Sequence, residues 1–230
     1  MTREKRAVSE VIGYIIILGI VFVAFGLVFV NATAIFTDTG ENERLQNAQR
    51  GFTVLQSNVE DVVFGETTRR TTQIRLNGGS IAVEGERTRT VLEVDDDEVR
   101  NRTLSPVTYE LGSGEVSYDN GAVFRGTATS TGMASDPGWV VREDLVSVSV
   151  VRTFGGGSAG GDGTVSVTTE SAGEPFVVSN DTVSTVNVTV ASENSAAWKR
   201  YFEDLRAEDE TGTIDDVTAG DSAGVDAYVL

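Results

Sequence analysis

The chain has 230 residues, of which 35 are acidic and 18 basic, for a net charge of −17. It has neither cysteine nor histidine, which excludes disulfides, thiol chemistry, the usual zinc ligands and every Ser-His-Asp arrangement. So acidic a balance argues against a nucleic-acid partner, which would want a basic stripe; catalysis would rest on carboxylates alone, and no enzyme activity, cofactor or metal is expected.

Arg3, Glu4, Lys5 and Arg6 open the chain, Ala7-Val-Ser-Glu10 follows, and no charge appears again until Asp38. The uncharged run from Val11 to Thr37 could reach about 40 Å as a helix, enough to cross a hydrocarbon core of about 30 Å. A secretory signal has a shorter apolar core and a cleavage site behind it, and Ala32-Thr-Ala34 is a weak match for one. A simple membrane anchor fits the length, with the basic cluster holding the N-terminus in the cytoplasm. Neither reading uses Glu10, a carboxylate at the very start of the apolar run.

The segment Lys5-Arg-Ala-Val-Ser-Glu-Val-Ile-Gly13 resembles the processing site of type IV pilins, and is most similar to the archaeal versions with AVSPVIG or AVSEVIG. That resemblance implies a prepilin peptidase as partner, cutting near Arg6–Ala7. It also implies that the apolar helix is kept as a filament core and that Glu10 meets the N-terminal amine of a neighbouring subunit. A lone acid and a lone amine in a low-dielectric core each gain by pairing. A cut before Ala7 makes Glu10 the fourth mature residue, whereas the common spacing makes it the fifth, as a cut before Arg6 would. The alternative is an uncleaved, single-pass membrane-anchored extracellular binding protein.

From residue 38 on there are 33 acidic and 15 basic residues, a net of −18, and Lys199 is the only lysine there. Such a surface suits molar salt, which shortens the Debye length to about 3 Å and screens self-repulsion. Together with the leader, it implies a halophilic archaeal source.

Leu45, Ala48, Phe52, Leu55, Val59 and Val62 are spaced by threes and fours, which predicts that the helix continues as an amphipathic stretch to about Gly65. From Thr71 the period becomes two. Thr72–Leu76 and Ser80–Val83 flank Asn77-Gly-Gly, a hairpin signal. Strands are expected at Thr88–Val94, Val107–Leu111, Glu115–Tyr118 and Ala122–Arg125, with Asp95-Asp-Asp97 and Asp119-Asn-Gly121 as turns. Further strands are expected at Val140–Arg142, Leu145–Arg152, Thr164–Thr169 and Val183–Ala191. Gly155 to Gly163 reads as a flexible loop; no Lys-Ser/Thr follows it, so it is not a phosphate cradle. A helix after Ser192-Glu-Asn-Ser carries Ala196, Ala197, Trp198, Tyr201, Phe202 and Leu205 on one face, suited to docking on a sheet. The Val-Asn-Val-Thr-Val strand with this helix is also similar to uncharacterised haloarchaeal pilin-like exported proteins.

The expected fold class is α+β: a long N-terminal transmembrane and amphipathic helix, then a mainly antiparallel β head, sandwich or meander, with one short helix in its C-terminal half. The expected domains are a cytoplasmic leader (1–6), a transmembrane or filament-core helix (7–37), its amphipathic continuation (38–65) and an extracellular head (66–230). Asn101, Asn180 and Asn187 stand in glycosylation sequons on the exported side. Asp95–Glu98 and the acids from Glu203 to Glu210 lack the ligand spacing of a calcium loop and read as solvated surface. The partners implied are the peptidase, other pilin subunits through the N-terminal helix, and the membrane. The location implied is a membrane-held or pilus-borne extracellular head.

Overall fold

The computed structural model describes residues 4–65, 67–83, 85–127, 130–142, 145–153, 156–171, 185–208, 214–218 and 222–228. The chain divides into two units, the first ending at Glu43 and the second beginning at Arg44. Helix α1 (Glu4–Val63) contributes residues to both. It ends where Gly65 adopts φ +79°, a left-handed stop that costs glycine little.

In the first unit, Tyr14–Val23 is helical and exposed throughout. The expected fold class is corrected here: among the described residues no helix is long and apolar enough to cross a membrane. The reason is reach, because the apolar residues with described side chains run from Tyr14 to Ala24 and span about 16 Å, roughly half a hydrocarbon core.

In the second unit, the strands in chain order are β1 (Arg69–Arg75), β2 (Ser80–Val83), β3 (Thr88–Val94), β4 (Asp97–Leu104), β5 (Val107–Leu111) and β6 (Gly114–Asp119). They continue with β7 (Ala122–Thr127), β8 (Ser130–Ser135), β9 (Val140–Arg142), β10 (Leu145–Ser147), β11 (Gly157–Gly160) and β12 (Thr164–Glu170). After β13 (Thr185–Ala191) come helix α2 (Ser195–Glu208), β14 (Ile214–Thr218) and β15 (Ser222–Tyr228). One sheet has the order β11-β2-β5-β6-β7-β8 and a second the order β14-β15-β13-β3-β4. β1 pairs with β12 and β9 with β10 as separate ribbons. The head is therefore neither a plain meander nor a single pair of facing sheets.

The stripe on α1 is buried from Leu45 to Val62, with Phe52 at 0% exposure. Leu45, Ala48, Phe52, Leu55 and Val59 form one core with Tyr109, Val116, Tyr118 and Val123 of the six-stranded sheet and with Ile74 and Leu76 beside it. Burying each large side chain of this kind is worth about 1.5–3 kcal/mol. Gly114 opens β6 because Leu45 comes so close that a Cβ there would overlap its methyl. On the opposite face, Ala122 and Phe124 of β7 join Val186, Val188 and Val190 of β13 and Trp198, Tyr201 and Phe202 of α2 in a second core. Trp139 stacks on Trp198 with ring centroids 5.2 Å apart.

Two local expectations change. The Asn77–Gly78 turn exists, with φ 48° and 88°, but its arms do not pair with each other: β1 goes to β12 and β2 to β5 and β11. The stretch read as a flexible loop supplies β11, whose Gly157–Gly160 pairs with Ser80–Val83 of β2. A backbone ladder requires no side chains, so a glycine run can complete it where a neighbour's edge is open. The strand expected over Leu145–Arg152 stops at Ser147, and Val148 and Val151 pack instead against the two cores.

Candidate functional site

Arg6, Ala7 and Glu10, the processing and assembly residues, lie on the first turns of α1, and their side chains are outside the described ones. The next turns carry nine large apolar side chains between Tyr14 and Val23, exposed by 42% to 79%. They point in all directions around the helix, since consecutive residues advance about 100° each. No side of this stretch is polar, so it offers water no favourable face.

Asn180 lies outside the described residues. Asn101 sits on β4, its Nδ2 donating to Glu98 at 3.1 Å and its Oδ1 accepting from Arg89 at 2.9 Å. Asn187 lies on β13, a central strand, where its Oδ1 accepts from Thr189 at 3.3 Å. Both asparagines share one face of the five-stranded sheet. Val91 is opposite Asn101 on one side and Thr189 on the other, and Asn187 is two residues from Thr189.

The turn Asp119–Gly121 has a role that its sequence did not disclose. Asn120 and Gly121 have φ 47° and 90°, the signature of a two-residue hairpin turn. Such turns normally face water, but here Asp119 and Asn120 are each 2% exposed. Thr88 of β3 donates to Asp119 Oδ2 at 2.6 Å, and Ser192, just before α2, donates to the same oxygen at 3.1 Å. Asn120 donates to Thr90 Oγ1 at 3.0 Å, and Gln56 of α1 donates to the carbonyls of Gly121, at 2.9 Å, and Asp136. The turn thus joins α1, both large sheets and the start of α2. Burial first, and Glu193 to a lesser degree, push the Asp119 carboxyl up to about 6 against the opposing pull of the Thr88 and Ser192 hydroxyls. Its other oxygen, Oδ1, has no hydrogen-bond partner among the described residues.

Thr88 and Ser192 also line an open cleft of about 480 Å³ shared with Arg87, Arg89, Thr103 and Glu193. Arg87 pairs with Glu193 at 3.2 Å on its rim. The arrangement can hold a proton on Asp119, and the cleft beside it can contact a polar ligand. Among the described residues no group of three acids could hold a metal ion. Neither Asp119 nor the cleft was visible beforehand, because Thr88, Asp119 and Ser192 come from distant segments and an Asp-Asn-Gly turn ordinarily signals surface.

An uncharacterised protein of Archaeoglobus fulgidus is 32% identical over 80 residues, which is 35% of this chain and 26% of that protein, so the match spans about a quarter of its length. No solved structure matches the chain significantly. A family model matches residues 6–228, almost from end to end and including both the apolar helix and the head. The chain belongs to that family, the family of unknown function DUF7289.

Proposed function

We propose that the chain is a type IV pilin-like subunit, minor or accessory, processed by a prepilin peptidase and assembled through its apolar N-terminal helix into a surface filament that serves adhesion or surface structure. The observation that carries this reading is the exposure of Tyr14–Val23. Nine large apolar side chains stand open to solvent on all sides of one helix. At about 1.5–3 kcal/mol for each such side chain, covering them is worth on the order of 10 kcal/mol or more. A single flat partner would cover one side; helices of neighbouring copies on several sides would cover them all. Glu10, a few residues before this stretch, supplies the charge that a freed α-amino group of a neighbour would neutralise.

The test is mass spectrometry of the mature N-terminus in cells with and without the prepilin peptidase, together with Glu10→Gln. The expected result is a peptide beginning at or beside Ala7 only where the peptidase is present, and a Glu10→Gln chain that is processed yet absent from filaments. An intact N-terminus in both strains overturns the reading. Normal assembly of Glu10→Gln removes the role given to that carboxylate.

A further inference from the structure

We propose that β11 is an interaction edge, and that its occupant is β11 of a second copy of this chain, paired antiparallel about a two-fold axis at Ala159. β11 ends the six-stranded sheet, and among the described strands it pairs only with β2. All four of its residues are exposed. Gly161 N–H donates to the Gly79 carbonyl and Gly78 N–H to the Gly161 carbonyl, so Gly161 faces β2. Alternation along an antiparallel strand then turns Gly157 and Ala159 to β2, and the N–H and C=O groups of Ser158 and Gly160 outward.

Unpaired strand edges recruit other strands unless they are covered, charged or kinked. The other described ends of the two large sheets differ from it. At β8, Arg200 of α2 donates to the Thr131 carbonyl at 2.8 Å, while β4 carries Asp97, Glu98, Arg100 and Arg102. β11, Gly-Ser-Ala-Gly, has no charge and almost no side chain. In a chain of net charge −17, two copies repel wherever acids meet. A cationic partner would choose that acidic surface, whereas a partner of the same charge is best met at the neutral edge. The geometry is self-complementary: Ser158 of each copy opposes Gly160 of the other, exchanging about four backbone hydrogen bonds, and the two Ala159 residues face each other as a non-hydrogen-bonded pair. So small a contact is weak and matters where copies are crowded. It is independent of the filament reading, since it uses only the head.

A single cysteine tests it, because the chain has none of its own. In the full chain at high protein concentration and molar salt, Ala159→Cys under mild oxidation should give about tenfold more disulfide-linked homodimer than Ser113→Cys on the exposed β5–β6 turn, since non-hydrogen-bonded cross-strand pairs lie within disulfide reach. Gly160 has negative φ, and a Cβ there meets only ordinary contacts, so Gly160→Pro deletes an outward N–H without touching the β2 ladder. Added to Ala159→Cys, it should return cross-linking to the control level. Ser158→Lys, which leaves the backbone intact, should do the same. Yield should rise with salt, as charge repulsion is screened. Equal cross-linking at residues 113 and 159, no effect of both edge variants, or capture of a different protein by Cys at 159 would each overturn the proposal.

Discussion

Two stretches of the same helix, α1, obey opposite rules. From Leu45 to Val62 the apolar residues, exposed Val54 apart, keep to one stripe, the intervening positions are mostly polar, and the stripe is buried within the head. From Tyr14 to Val23 apolar residues occupy every position except Gly19, and all are exposed. The first pattern is satisfied by the chain's own sheets. The second is not satisfied by any described residue of its own unit, which is what a surface kept for other molecules looks like at the level of single residues. Helix propensity does not separate them; what differs is the angular width of the apolar face.

The sharpest way to break that comparison is to make the same kind of cut in both stretches. Phe52→Ala removes a fully buried ring between α1 and the six-stranded sheet, and should cost about 3–5 kcal/mol of head stability. Ile17→Ala, at 61% exposure, should leave head unfolding unchanged within about 0.5 kcal/mol. Denaturant unfolding of both variants, followed by tryptophan fluorescence from Trp139 and Trp198, reads the difference. A large effect of Ile17→Ala on that signal would mean that the first stretch is part of the head's own core.

How much of this was legible follows from which groups carry the information. The α1 stripe could be read because side-chain period reports directly on a helix face, and the aromatic face of α2 for the same reason. The turns at Asn77, Asp95 and Asn120 announced themselves through residues that tolerate positive φ. Pairing did not: nothing local says that β1 will leave β2 for β12. β11 was missed because its ladder is made by backbone alone, and β8, β14 and β15 because small and acidic residues give no alternation that stands out. The transmembrane reading came from counting uncharged residues, and the described part of that run is too short to support it. Asp119 was hidden most completely, since its environment comes from Thr88 and Ser192, both far away in sequence.

That buried turn sharpens the comparison on the head side. The ordinary value for Asp119 is 3.8, and burial raises it to about 6 in the folded chain. Between these values the folded protein keeps a proton that the unfolded chain has lost, so stability falls as the pH rises through that window and levels off above it. A shift of about two units corresponds to at most roughly 3 kcal/mol. Asp119→Asn, which cannot ionise, should flatten that step in a stability profile measured from pH 3.5 to 7, while Asp162→Asn on the exposed β11–β12 turn should not. A profile of unchanged slope in Asp119→Asn would show that other carboxylates govern it.

The smallest effect is expected at the rim of the cleft, and salt decides its size. Arg87 and Glu193 make an ion pair at 3.2 Å with side chains 48% and 71% exposed. Exposed pairs of this kind contribute about 0.2–1 kcal/mol in dilute buffer, because water and lost side-chain freedom offset most of the attraction. At molar salt the Debye length falls to about 3 Å, shorter than the pair itself, and little should remain. A double-mutant cycle over Arg87→Ala and Glu193→Ala, run at 0.1 M and at 2 M salt, should therefore give a coupling that vanishes at the higher concentration. The Phe52→Ala cost should persist there, since salting-out ions strengthen apolar burial rather than screen it. Coupling that survives at 2 M salt would mean that the pair is held by the cleft's hydrogen bonds rather than by charge, and the acidic surface around it would then be tuned for more than solubility.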